Sequence, residues 1–213
     1  MPFYRISIWQ TTLNTTSPGI DPHVELPLYE GVALAEVVLV TSPEAAAEAR
    51  QILLAQDVIG FDTESKPTFL KGEPSSGPHL IQLATASRVY LFPVGSLPDP
   101  DGMKAILESA RILKVGFGLA SDLAQLRSRL GMEARNILDL SRVLRSENGK
   151  HGLGAKTAVA KYFGKRLQKS KRTTTSNWAN PRLTERQMLY AANDAQVALR
   201  VYRAALNDGL EPR

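Results

Sequence analysis

From residue 35 onward, apolar and polar positions alternate between blocks of strand length and blocks of helix length. EVVLVT at 36–41 is a β-branched run and predicts a strand. SPEAAAEARQILLAQ at 42–56 predicts a helix, with Ser42 as N-cap and Pro43 at the first helical position. VIGFDTE at 58–64 reads as a buried strand ending in acids, and 65–78 as a loop rich in Pro, Gly and Ser. HLIQLAT and RVYLFPV predict a hairpin. A helix near 101–110, a strand at 112–117, a helix over 120–130 closed by Gly131 and a short strand NILDL follow. The remainder predicts helices near 139–146, 153–163 and 184–206. Residues 1–34 show no sustained period and read as a peripheral N-terminal segment, leaving 35–213 as one domain. A hairpin followed by alternating strands and helices predicts an α/β fold with a mixed central β-sheet flanked by α-helices.

Composition removes several chemistries. The 213 residues contain no cysteine, so a disulfide framework, a thiolate metal site and a cysteine nucleophile are excluded. Three scattered histidines do not make a zinc cluster. No apolar run approaches the roughly 20 residues of a membrane span, and the start lacks a signal-like stretch, so the expectation is a cytoplasmic protein with no membrane partner. The net charge of +5 is unevenly spread. Residues 142–186 hold 12 Lys and Arg against two acids, whereas residues 1–141 hold 11 basic and 16 acidic residues. A basic segment beside an acidic body suits a phosphate-bearing partner, and equally a solvated helical surface.

Four acids stand out. Asp62 and Glu64 close the strand VIGFDTE, and the two-residue period sends both carboxylates to one side. Like charges so placed repel unless a cation intervenes, although a turn cap or solvent also accommodates them. Asp122 opens a helix after KVGFGLAS, where capping alone explains an acid. Asp194 lies in an apolar helix with Tyr190 one turn earlier on the same face, as a structural hydrogen bond or as a ligand with a helper hydroxyl. Taken together, the four offer only oxygen donors, which select Mg²⁺ or Mn²⁺ over Zn²⁺. Two such ions about 4 Å apart would offset the clustered charge and clamp a phosphoryl group.

These motifs, VIGFDTE, VGFGLASDLAQL and YAAND, resemble those of the DEDDy 3′–5′ exonucleases, the family of ribonuclease D and the Werner syndrome exonuclease domain. HLIQLAT, SNW at 176–178 and the pattern L-T-x-x-Q-x-x-Y-A-A-x-D from Leu183 to Asp194 follow in the same order. The resemblance implies a ribonuclease H-like fold and hydrolysis of nucleic acid from a 3′ end, releasing nucleoside 5′-monophosphates with two divalent metal ions. It implies that Asp62 bridges both ions, Glu64 and Asp194 hold the one carrying the attacking water, and Asp122 supports the other. Tyr190 would orient that water; Leu189 stands where the His of the DEDDh branch would fall. Asn177 departs from the Asp of many relatives.

For substrate, Thr63 and Gln82 are candidates to line the terminal-nucleotide pocket, and Lys165, Arg166, Lys169, Lys171 and Arg172 to meet the nucleic-acid backbone. Trp178 either stacks on a base or anchors its segment on the body. The chain ends soon after the last helix, so substrate capture is expected to rely on this domain, a homo-oligomer or an accessory protein. The alternative function is a catalytically weak nucleic-acid-binding module of the same fold. A site for a small phosphorylated metabolite is disfavoured, because GFGLAS lacks the G-x-G-x-x-G spacing.

Overall fold

A seven-residue strand, β2 (Val58–Glu64), runs through the middle of the computed structural model, which describes residues 25–68, 75–145 and 152–211. Around it lie β1 (Val37–Leu39), β3 (Leu80–Ala84), β4 (Val89–Pro93), β5 (Leu113–Gly116) and β6 (Ile137–Asp139). The six strands are ordered β1-β4-β3-β2-β5-β6. β2, β3 and β4 pair antiparallel, while β1 joins β4, β5 joins β2 and β6 joins β5 in parallel. The predicted mixed sheet and its hairpin are thus present.

Alternation along β2 divides the core. Ile59 and Phe61 point into one apolar layer, shared with α1 (Pro43–Leu54) and α2 (Pro100–Leu107). Ser42 caps α1 as predicted, its hydroxyl accepting from the Ala45 amide at 3.2 Å. The opposite face is covered by α7 (Glu185–Asn207), which opens with a Thr184–Gln187 capping box. Ala191, Ala192, Ala195 and Ala198 are all buried along it, and such small side chains let the helix settle close to the strands. Gly60 is required by that closeness, since a Cβ there would lie 2.0 Å from the Ala195 carbonyl oxygen. The helix predicted over 120–130 divides into α3 (Ala120–Gln125) and a wider π turn at Leu126–Leu130, ending at Gly131 with φ 63°. Short helices α4 (Leu140–Val143), α5 (Ala155–Phe163) and α6 (Lys171–Thr174) complete the chain; α6 carries no sequence signal, being four residues with two threonines. Among the described residues no helix is long and apolar enough to cross a membrane.

Packing begins before residue 35. The Tyr29 amide donates to the Arg166 carbonyl at 3.1 Å, and the Arg166 amide to the Pro27 carbonyl at 2.8 Å. The Asn193 side chain accepts from the Val32 amide at 2.8 Å, and Val32 is buried. The N-terminal part of the segment, residues 1–24, lies outside the described residues. The stretch from Pro27 to Val32 is fastened to α7 and the α5–α6 connection, not peripheral. It lacks a period because it docks through backbone pairs and single side chains instead of a repeating face.

Candidate active site

Strand β2 carries Asp62 and Glu64 on its α7 side, one and two alternations beyond Gly60. Helix α7 brings Tyr190 and Asp194, one turn apart, over the same end of the sheet. Asp122 arrives from the first turn of α3. Asp62 and Glu64 both feel the charges of the other site carboxylates. Asp62 is held well above the usual carboxylate range by burial first, then by the charges of Asp194 and Asp122. Glu64 is pushed up to about 9 by burial, then by Asp62 and Asp194. Burial also raises Asp194, against the pull of Lys169.

Asp122 does not cap its own helix. The amides of the two residues before α3 are taken by Asp139, at the end of β6: Gly118 donates to it at 2.8 Å and Leu119 at 3.1 Å. Asp139 also caps α4, accepting from the Ser141 amide at 3.0 Å and hydroxyl at 2.6 Å. This leaves Asp122 free to turn toward β2, where it accepts from the hydroxyl of Thr63. Residue spacing near Asp122 cannot reveal this, because the carboxylate holding the turn before α3 comes from a strand about twenty residues away, as the separation of the Gly118 bond shows.

Tyr190 lies beside Trp178, ring centroids 6.0 Å apart, and its hydroxyl shares a 2.8 Å hydrogen bond with Thr174 of α6. Burial, then the Asp194 charge, raises the phenol above its ordinary value, so it is protonated at neutral pH. Lys169 places its Nζ 2.8 Å from Asp194 Oδ1 and 5.9 Å from the centre of the Tyr190 ring. Burial opposes its charge, but Asp194, Tyr190 and Asp62 outweigh that and raise its pKa.

Several substrate-contact expectations change. Trp178 is 2% exposed and donates its indole N–H to the Thr174 carbonyl at 3.4 Å. It anchors α6 to the body and offers no face for a base to stack on. Gln82 is fully buried, directly across from Asp62 in the β2–β3 register, with both amide atoms unpartnered among the described residues, so it lines no open pocket. Thr63 is equally committed: its hydroxyl is on Asp122, and its amide donates to Asp62 at 3.0 Å. Lys165 pairs with Glu30 at 3.3 Å and Arg166 with Glu25 at 3.3 Å, both pairs reaching across to the N-terminal stretch. Lys171 and Arg172 are exposed on α6, beside the Thr174 that holds Tyr190. Lys169 reaches the acids themselves.

The donor set suits hard divalent cations: four carboxylates, no nitrogen or sulfur, and mutual repulsion that positive charge would relieve. Among the described residues no three acidic or histidine side chains already form a cage. Asp122 is engaged by Thr63 and Asp194 by Lys169, so gathering the donors requires side chains to turn.

A family model described as 3′–5′ exonuclease matches residues 37–210. The chain is 33% identical over 155 residues to the bifunctional 3′–5′ exonuclease/ATP-dependent helicase WRN of Mus musculus, covering 72% of this chain and 11% of that protein. It is 32% identical over 187 residues to exonuclease 3′-5′ domain-containing protein 2 of Homo sapiens, covering 81% and 30%. It therefore spans less than a third of either relative. The EXO domain of Aedes aegypti Nibbler superposes with a TM-score of 0.70 at 27% identity, covering 86% of this chain and 96% of that domain. Escherichia coli RNase D superposes with a TM-score of 0.65 at 25% identity, covering 81% and 46%.

Proposed function

The chain belongs to the 3′–5′ exonuclease family, with the ribonuclease H-like fold of its solved relatives, and on that premise we propose how its own site works. Nucleic acid is hydrolysed from the 3′ end to nucleoside 5′-monophosphates, with Asp62, Glu64, Asp122 and Asp194 holding two divalent cations, Mg²⁺ or Mn²⁺. The observation that carries this is the crowding of Asp62, Glu64 and Asp194 at one sheet edge, each raised by burial and, for Asp62 and Glu64, further by its neighbours.

Bound cations supply an acidified water and charge stabilisation at the phosphate. The protein supplies the arrangement. Asp62 feels the charges of both Asp194 and Asp122, which suits a shared ligand. Tyr190 keeps its proton, so its hydroxyl, steadied by Thr174, orients the attacking water and does not abstract its proton. Lys171 and Arg172 face solvent beside this point and suit contacts to phosphates upstream of the scissile bond. Asp194 held by Lys169 favours a second reading, a module that binds nucleic acid without useful turnover.

A 5′-labelled oligonucleotide separates the two. The proposal expects a ladder shortening from the 3′ end with Mg²⁺ or Mn²⁺, absent with EDTA and with Asp62→Ala. Retained binding with no shortening by the wild type supports the second reading. Matched DNA and RNA substrates assign the nucleic acid.

A further inference from the structure

Lys169 is committed to Asp194, the acid from which the nuclease needs a free carboxylate. The side chain of Asp194 is 7% exposed and that of Lys169 30%, and their 2.8 Å contact is a charge-assisted hydrogen bond. No other salt bridge among the described residues reaches any of the four site acids. Lys169 lies just before α6, in the connection from α5 whose Arg166 is tied to the N-terminal stretch. The base of the side chain is thereby held, while its flexible four-carbon stem leaves the ammonium free to move. A groove of about 590 Å³, lined by Lys156, Arg166, Leu167 and Lys169 with Glu25, adjoins it.

We propose that Lys169 is the resident cation of the metal position at Asp194: it neutralises that carboxylate in the metal-free protein, leaves it when a divalent cation binds, and is then free to take a substrate phosphate. The 2.8 Å contact commits the ammonium's charge to Asp194, so a phosphate that draws Lys169 to itself competes with that carboxylate for it. A phosphate arriving beside the site draws Lys169 away from Asp194 and so favours metal binding, and metal binding releases Lys169 for the phosphate. Metal and nucleic acid therefore bind with positive coupling, equal in both directions. Lys169 acts on the metal through Asp194 and is a positioning residue. The inference rests on the exonuclease reading for the identity of the anion, but its test reads metal affinity.

Titration calorimetry with Mn²⁺ alone, without nucleic acid, compares the wild type with Lys169→Met, Lys169→Arg and Lys104→Met. Lys169→Met should bind Mn²⁺ about tenfold or more tightly, equivalent to about 1.4 kcal/mol. Lys169→Arg keeps a cation and should stay near wild type. Lys104→Met, which removes one charge on α2 beside Glu108, should leave the affinity unchanged. Repeating the titration with adenosine 5′-monophosphate should tighten Mn²⁺ binding more in the wild type than in Lys169→Met. Acetylation of the wild-type Lys169 amine, followed by mass spectrometry, should quicken on Mn²⁺ addition; this needs no variant to fold. Unchanged or weaker Mn²⁺ binding in Lys169→Met, equal tightening by Lys104→Met, no binding in any protein, or an amine no more reactive with Mn²⁺ would each overturn the proposal. Mononucleotide release from the same samples decides the exonuclease reading separately: turnover with unchanged metal affinity in Lys169→Met sinks the inference alone, and tighter metal without turnover sinks the function alone.

Discussion

Replacing Asp139 with alanine should separate support of the site from membership in it. Its carboxylate accepts from the amides of Gly118, Leu119 and Ser141 at 2.8, 3.1 and 3.0 Å and from the Ser141 hydroxyl at 2.6 Å. It thus caps α4 and holds the turn that leads into α3. Loss of the α4 cap costs about 0.5–2 kcal/mol and loss of the two bonds to the turn before α3 about 1 kcal/mol each, about 2–4 kcal/mol together. The 3.7 Å pair with Arg142, whose side chain is 74% exposed, adds little. In a domain of this size that corresponds to a fall in Tm of about 5–15 °C. The turn before α3 then loses its anchor, and with it Asp122 in the first turn of that helix, so mononucleotide release should fall even where the variant is folded. The effect should fade in acid. Burial works against the Asp139 charge, but the Ser141 hydroxyl and the three amides outweigh it and hold the carboxyl below its ordinary value. A lowered folded pKa gives stability present above the unfolded value of about 3.9 and lost as pH falls through the folded one. Thermal unfolding by circular dichroism across pH, with release assayed well below both midpoints, makes the check. An Asp139→Ala protein that melts with the wild type, or that keeps full activity, would refute the reasoning.

Tyr190→Phe keeps the ring on Trp178 and loses only the hydroxyl on Thr174, so stability should change by about 1 kcal/mol or less while turnover falls about a hundredfold, read by single-turnover kinetics. Lys114 is fully buried, its Nζ donating to the carbonyls of Ser109, Ile112 and Arg135 at 2.6, 3.0 and 2.7 Å, and burial lowers its pKa from 10.5 to about 8. Between those values the unfolded chain holds a proton the folded one lacks, so stability should rise with pH there by about 3 kcal/mol; urea unfolding of Lys114→Met should lack this rise. Glu64, raised from 4.5 to about 9, gives the metal-free protein a contribution that is fully present below about 4.5 and is lost as pH climbs from there through 9. Metal binding must expel this proton, so apparent Mn²⁺ affinity should rise with pH up to that value, by up to about tenfold per unit. Calorimetry in buffers of different ionisation heat reads the released proton, and a pH-independent affinity would count against the assignment.

What the sequence disclosed and what it hid have distinct physical origins. The strands and long helices were legible because each buries a face with a regular period. β2 spans the predicted 58–64, and its alternation places Asp62 and Glu64 together. The five motif residues converge because two elements adjacent across the sheet, β2 and α7, carry four of them. Features set by distant partners were not legible. By spacing Asp122 reads as a cap, and only the structure shows it on the Thr63 hydroxyl while Asp139 of β6 holds the turn before its helix. Lys165 and Arg166 read as phosphate contacts, yet their partners Glu30 and Glu25 lie 135 and 141 residues away in sequence. Gln82 sits in an apolar strand whose two faces are both covered, a burial that local polarity does not announce. For Trp178, the anchoring alternative follows from apolar area alone, and the structure agrees with it.

The central claim is that this acid cluster delivers water to the terminal 3′ phosphodiester. Digestion of a short oligonucleotide in heavy-oxygen water with Mn²⁺, followed by mass spectrometry of the products, tests it most directly. Nucleoside 5′-monophosphates should appear from the first turnover, carrying one heavy oxygen on the phosphate, and none should appear with Asp62→Ala. Internal fragments, 3′-phosphorylated products, or unchanged release by Asp62→Ala would contradict it.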